Sequence, residues 1–147
     1  MFDFSEYTDI IVLQHTSVEI EGIKIFGSPY TPSFGTGWAY NIAGHKIEEY
    51  WKQIPEGTNI IATHGPAKGI LDYTAETNTT YSQCGCKSLL NTINKINPKY
   101  HIFGHIHDES GVLNCGTFKP NNKLDTIFVN ACVMDLTYTI ENNGVII

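Results

Sequence analysis

Two stretches of the chain, Asn59 to Thr63 and Tyr100 to Phe103, are apolar on both parities, and each runs directly into histidine. A strand apolar on both parities is one covered on both faces, so both predict buried strands of a largely parallel sheet. A helical pattern precedes each. In the first, Ala43, Ile47, Tyr50, Trp51 and Ile54 recur at three- and four-residue spacing, with Lys46, Glu48, Glu49 and Lys52 opposite, until Pro55 and Gly57 stop it. In the second, Cys86, Leu89, Leu90, Ile93 and Ile96 make the stripe and Pro98 closes it. Upstream, Ile10 to Gln14 and Ser17 to Glu21 are β-prone, and Glu21-Gly22 turns into Ile23 to Gly27 as a hairpin or meander. Ser28 to Gly37 holds Pro29, Pro32, Gly35 and Gly37 and reads as a loop, as does the polar stretch from Gly65 to Gln83. After His107 the pattern predicts strands and turns alone: Gly111 to Phe118, Thr126 to Val133, and Leu136 to Glu141. Asn142-Asn143-Gly144 then turns into Val145 to Ile147. The expected fold class is α/β, a mixed sheet with two main helices packed on it.

Composition narrows this picture. The 147 residues suffice for one domain, and 41% apolar with 16% charged residues is a globular balance. A net charge of -6 without a Lys/Arg cluster gives no nucleic-acid-binding signal. It leaves room for a phosphate-ester substrate, since bound metal ions can supply positive charge. No apolar run reaches the roughly 20 residues of a membrane helix. The opening residues lack a signal peptide's basic and apolar regions, so a cytoplasmic, reducing location is expected. Cys84, Cys86, Cys115 and Cys132 then read as free structural thiols, and the sequon at Asn78 carries no meaning.

The chemistry gathers at the strand tips. In open α/β sheets ligands bind beyond the carboxyl ends of strands, which is where His64, His105 and His107 fall. Residues two apart in extended chain point the same way, so His105 and His107 can address one site. Gly65 and Gly104 are expected to let the backbone turn sharply beside a ligand. Neutral imidazole is the commonest protein metal ligand, and three of them can hold one zinc ion with an open position. Two divalent ions side by side would need bridging carboxylate. The nearest acidic candidates are Asp72, Asp108 and Glu109: Asp72 as a pocket-lining group or a turn aspartate, Asp108 as a residue orienting His107 or the following turn. His15, His45 and His101 read as structural: His15 in a hairpin-like strand, His45 on the surface of the first helix, and His101 satisfied in the core.

Thr63-His64-Gly65-Pro66, Gly85-Cys86 and Phe103-Gly104-His105-Ile106-His107 resemble the C-terminal half of a calcineurin-like metallophosphoesterase. Gly27-Ser28-Pro29-Tyr30-Thr31-Pro32, Trp38-Ala39-Tyr40-Asn41 and Asn130-Ala131-Cys132 are similar to further signatures of its metallophosphoesterase domain subgroup. The resemblance runs from about residue 10 to the end. It implies a four-layer αββα sandwich and hydrolysis of phosphomonoesters or phosphodiesters at two divalent ions, with manganese, iron and zinc all open. In that pattern His64 and His105 would ligate one metal and His107 the other, with Asn41, Asp72 and Asp108 in the pocket or behind the ligands.

The family's D-x-H, G-D and G-N-H motifs do not occur here, and Asp3, Asp9, Asp72, Asp108 and Asp135 lack their context. Residues 1–147 are therefore expected to form a single partial phosphoesterase domain without a catalytic residue of its own. Activity would need a separately encoded N-terminal half. The alternative is a catalytically inactive remnant, a metal-binding or protein-interaction module that folds alone or as a homo-oligomer.

Overall fold

A computed structural model describes residues 7–77, 80–108, 112–120 and 124–147. In chain order the elements are β1 (Thr16–Ile20), β2 (Ile23–Ser28), β3 (Thr31–Pro32), β4 (Asn41–Ile42), α1 (Ile47–Trp51), β5 (Ile60–Thr63), β6 (Tyr73–Thr77), β7 (Thr80–Gln83), α2 (Lys87–Ile96), β8 (Tyr100–Phe103), β9 (Gly116–Phe118) and β10 (Ile127–Asn130). Six of the strands form one sheet in the order β1-β2-β5-β8-β10-β9. Its four central strands run parallel, while β1 and β9 close the two edges antiparallel. The fold class is α/β with a mixed sheet and two helices, as the pattern predicts. No helix among the described residues is long and apolar enough to cross a membrane.

Register separates the two faces of this sheet. Phe26, Ile61, His101 and Phe128 are aligned across four strands and face the helices. With Phe103 they join Ile47, Trp51 and Ile54 of the α1 region and Leu89 and Ile93 of α2 in one core, from which only His101 stands apart as a polar member. The opposite face carries a row of Ile25, Ile60, Tyr100 and Ile127 and a row of Gly27, Ala62, Ile102 and Val129. None of these belongs to the helix-packed core.

Helix α2 forms for local reasons as well as packing. Its stripe buries Leu89 and Ile93, and Asn97 ends it in the left-handed conformation at φ 52, its N–H donating to Ile93 O. Pro98 then forbids continuation. Helix α1 is shorter than its periodicity suggests. Beyond Trp51 the bonds tighten to i→i+3, from Gln53 N to Tyr50 O and from Ile54 N to Trp51 O, so the stripe continues as turns.

Several expectations need correction. Ile10 to Gln14 is not a strand; Ile10, Ile11 and Val12 are exposed and only Leu13 packs, against Gly27. The segment after His64 is not one loop, because β6 and β7 pair as an antiparallel hairpin within it. Leu136 to Glu141 and Val145 to Ile147 form no strands, although Met134 and Ile140 share one isolated bridge. His15 precedes β1 with φ 58, ringed by Phe26, Tyr30 and Tyr50, and His45 lies exposed in the turn before α1. Glu109, Gly111, Asp3 and the sequon residues Asn78 and Thr79 lie outside the described residues. All four cysteines are free, and buried Cys86 accepts a hydrogen bond from Trp51 Nε1 at 3.2 Å.

Candidate metal centre

The tips of β5 and β8 are tied together by backbone. Gly104 N donates to His64 O at 3.1 Å, which aligns the two histidine-bearing turns. Immediately after, Ile106 N donates to Gly104 O at 2.9 Å across His105, whose φ is 71. That is a γ-turn of the positive-φ kind, a strained conformation for a residue with a Cβ. The reversal expected of glycine is thus made by the histidine itself. Gly65 and Gly104 keep ordinary negative φ, and a Cβ at either would meet nothing closer than 3.8 Å.

This turn stacks His105 on His64, ring centroids 4.4 Å apart and planes tilted by 35°. Burial lowers the pKa of both imidazoles, and for His105 the neighbouring His64 and His107 lower it further. Both are thereby held in the neutral form that binds metal. His107 Nδ1 lies 2.8 Å from Asp135 O. A carbonyl can only accept, so Nδ1 carries the proton and Nε2 keeps its lone pair. Asp135 is in turn fixed by the Thr139 and Thr137 amides at 2.9 Å and 2.8 Å.

The other sequence candidates stand elsewhere. Asn41 lines the same cavity, but its Oδ1 accepts from Phe34 N at 3.2 Å and its Nδ2 donates to Ala39 O at 3.4 Å, so its amide braces the preceding loop. Asp72 is fully buried and does not line the cavity. Its Oδ2 accepts from Gly69 N at 2.8 Å and Gly85 N at 2.9 Å, pinning the turn after β5 to the start of α2. Asp108 Oδ1 accepts from Asn114 N at 2.5 Å and Cys115 N at 2.7 Å. Burial pushes its pKa up, but those amide bonds outweigh it and leave the carboxyl below its usual value.

His64, His105 and His107 line one cavity of about 750 Å³. Asn41, Thr31 and Thr74 supply its other polar side chains, and Phe34, Trp38, Tyr40 and Tyr138 form an exposed aromatic rim. Phe34 sits 5.4 Å from His105, centroid to centroid, and Tyr138 sits 5.8 Å from His107. Of this rim, the sequence signals only the Trp38 to Asn41 stretch; Tyr138 lies in a segment read as a strand. Among the described residues no carboxylate lines the cavity, and no group of three or more His, Cys, Asp or Glu side chains converges tightly enough to hold a metal ion. The three imidazoles offer nitrogen donors to one cavity without being gathered around a single point. They do not fit a closely spaced ion pair, which needs bridging carboxylate.

No protein-family model matches the chain. A solved crystal structure covers 96% of it, and 56% of that chain, with a TM-score of 0.60 at 19% identity, which supports the fold alone. Human and mouse metallophosphoesterase domain-containing protein 1 are each 39% identical over 142 residues. A Caenorhabditis elegans UPF0046 protein is 35% identical over 139. These alignments take in 95% of this chain, which spans 40% to 43% of those relatives' own length. Across nearly all of its own length, the chain is a homologue of the metallophosphoesterase domain-containing proteins.

Proposed function

We propose that this chain contributes the histidine-bearing part of a metal-dependent phosphoesterase site, within one helix-and-sheet half of an αββα sandwich. The observation that carries the reading is His105 held at φ 71 against His64, with His107 opening on the same cavity. Strain of that kind, of order 1–3 kcal/mol, persists where the surroundings impose it, and it concentrates at functional sites. The names of the relatives support phosphoesterase chemistry, and divalent-metal dependence in general.

His64, His105 and His107 would hold the ion through neutral nitrogens. A bound divalent ion supplies Lewis acidity toward a phosphoryl oxygen. The chain's own contribution is positional: the γ-turn sets the His105 ring, Asp135 O fixes the His107 tautomer, and the aromatic rim borders the cavity. The carboxylates that a two-ion centre needs would come from polypeptide outside this chain. Their absence from the cavity wall among the described residues favours, as a second reading, a metal-binding or interaction module without catalysis.

Metal analysis after dialysis against zinc or manganese separates these readings from a purely structural one. The expected result is about one retained ion per chain, lost in His105→Ala. No retained ion in the wild type would sink both. Hydrolysis of bis(p-nitrophenyl) phosphate, measured with and without the remaining portion of metallophosphoesterase domain-containing protein 1, then separates catalysis from binding.

A further inference from the structure

Beside His105 lies a second, smaller cavity of about 300 Å³. It shares Thr31, Phe34, Thr74, His105 and Ile106 with the larger one, so the two are adjoining chambers. Trp51, Cys86 and Leu89 also line it, and all three are buried members of the helix-packed core. The row of Gly27, Ala62, Ile102 and Val129 on the opposite sheet face contributes nothing to its lining.

Among the described residues no Asp, Glu, Lys or Arg lines this cavity, which suits it to an uncharged occupant. Its two thiols are engaged within the protein. Cys84 Sγ donates to Asp72 O at 3.1 Å, while Cys86 Sγ accepts from Trp51 Nε1 at 3.2 Å and lies 3.3 Å from Ser88 Oγ. What the sulfurs offer an occupant is polarizable surface, which attracts the edge of an aromatic ring. Tyr30, Phe34 and Trp51 add aromatic wall to the same chamber. Size agrees. An engineered apolar cavity of about 150 Å³ admits benzene, so one or two fused rings fit the 300 Å³ here.

Small-molecule sites combine a mainly apolar cavity with a few polar groups that fix orientation. Here the two parts are divided between neighbouring chambers: the three imidazoles line the larger, and aromatic and sulfur surface lines the smaller. We propose that the smaller cavity is the subsite for the aryl group of a small aryl phosphoester whose phosphoryl group lies on the His64 and His107 side. This names a substrate class for the metal-dependent phosphoesterase site and rests on that reading, whereas the ring-binding cavity itself needs no metal.

Naphthol and naphthyl phosphate distinguish the subsite from the metal reading. With the full chain and no added metal, naphthol should bind saturably and shift the Leu89 methyl resonances. The methyls of Ile60 and Ile102, on the opposite sheet face, should stay unmoved. Cys84→Trp fills the cavity from an exposed position and should weaken naphthol binding by at least about tenfold. Should that variant fail to fold, the wild-type methyl shifts decide. With zinc, naphthyl phosphate should bind at least about tenfold tighter than naphthol. His64→Ala should remove that gain and leave naphthol binding intact, because His64 lines only the larger chamber. Absence of naphthol binding, or shifts confined to Ile60 and Ile102, overturns the subsite even in a chain that retains metal. Naphthol binding at Leu89 with no gain from phosphate and zinc overturns the phosphoester assignment through the metal reading, and leaves the ring site standing.

Discussion

His101 should make folding of this chain acid-sensitive in a defined window. It is fully buried between Phe103 and Phe128 on the helix-facing side of β8. Thr63 Oγ1 donates its only proton to Gly65 O at 2.7 Å, so His101 Nε2, 2.8 Å away, must donate to that hydroxyl. This leaves Nδ1 buried with a lone pair and no partner. Protonating it would place a charge in the core, and burial accordingly lowers the pKa from 6.5 to about 3. Between those values the unfolded chain binds more protons than the folded one, so stability falls as pH falls through the window. From pH 7 to pH 5 the two pKa values imply a loss of about 2 kcal/mol. Urea unfolding followed by the fluorescence of buried Trp51, at both pH values, measures this loss. His101→Leu should be less stable at pH 7 but should lose about 2 kcal/mol less than the wild type on acidification. Nitrogen NMR of the wild-type imidazole gives the direct reading: a neutral Nε2–H tautomer that persists through pH 5. Titration of that ring near 6.5 in the folded protein would refute the reasoning, as would equal acid sensitivity of the two chains.

A Cβ at Gly85 would lie 2.5 Å from Ala67 O and 2.7 Å from Asp72 Oδ2. Gly85→Ala should therefore destabilise by roughly 1–3 kcal/mol, read as a lowered melting temperature. Asp72→Ala leaves the Gly69 and Gly85 amides without their acceptor, and urea denaturation should register a loss of about 2–3 kcal/mol. His105→Gly should raise stability by up to about 1 kcal/mol by relieving the positive-φ strain while abolishing metal retention, a split that calorimetry and metal analysis detect together. A His105→Gly chain less stable than wild type would mean that the ring packs rather than serves.

Much of the fold follows from periodicity. β5, α2 and β8 lie within a residue or so of where their patterns end, because each pattern coincides with burial on a definite face. The failures share a pattern. Ile10 to Gln14 and Leu136 to Glu141 have strand composition, but neither joins the sheet, and apart from one Met134–Ile140 bridge their apolar residues stay largely exposed. The β6–β7 hairpin fails in the opposite sense. Tyr73–Thr77 and Thr80–Gln83 carry little apolar alternation and pair only with each other, so nothing in their pattern separates them from a polar loop.

At the site, the sequence places the histidines but misassigns the strain. Glycines flanking His64 and His105 invite the expectation that they make the turns, yet both have ordinary φ and the reversal falls on His105. Nothing local requires this. Gly104 is bound to the β5 tip through His64 O, and Ile106 is buried while Asn130 Nδ2 donates to its carbonyl at 2.8 Å. With both neighbours anchored, the chain between them has one way to turn, and it delivers the imidazole to His64. That dependence on Asn130, 25 positions after His105, is tertiary, and no window around Gly104-His105-Ile106-His107 contains it. Asn130-Ala131-Cys132 stands out in the sequence only as a signature, and its physical content is this bond. The carboxylates are a different matter: Asp72 and Asp108 are present, but backbone amides claim both to hold loops. Among the described residues, folding thus uses Asp72 and Asp108 for structure, and the cavity lining is left with imidazole, hydroxyl and amide groups.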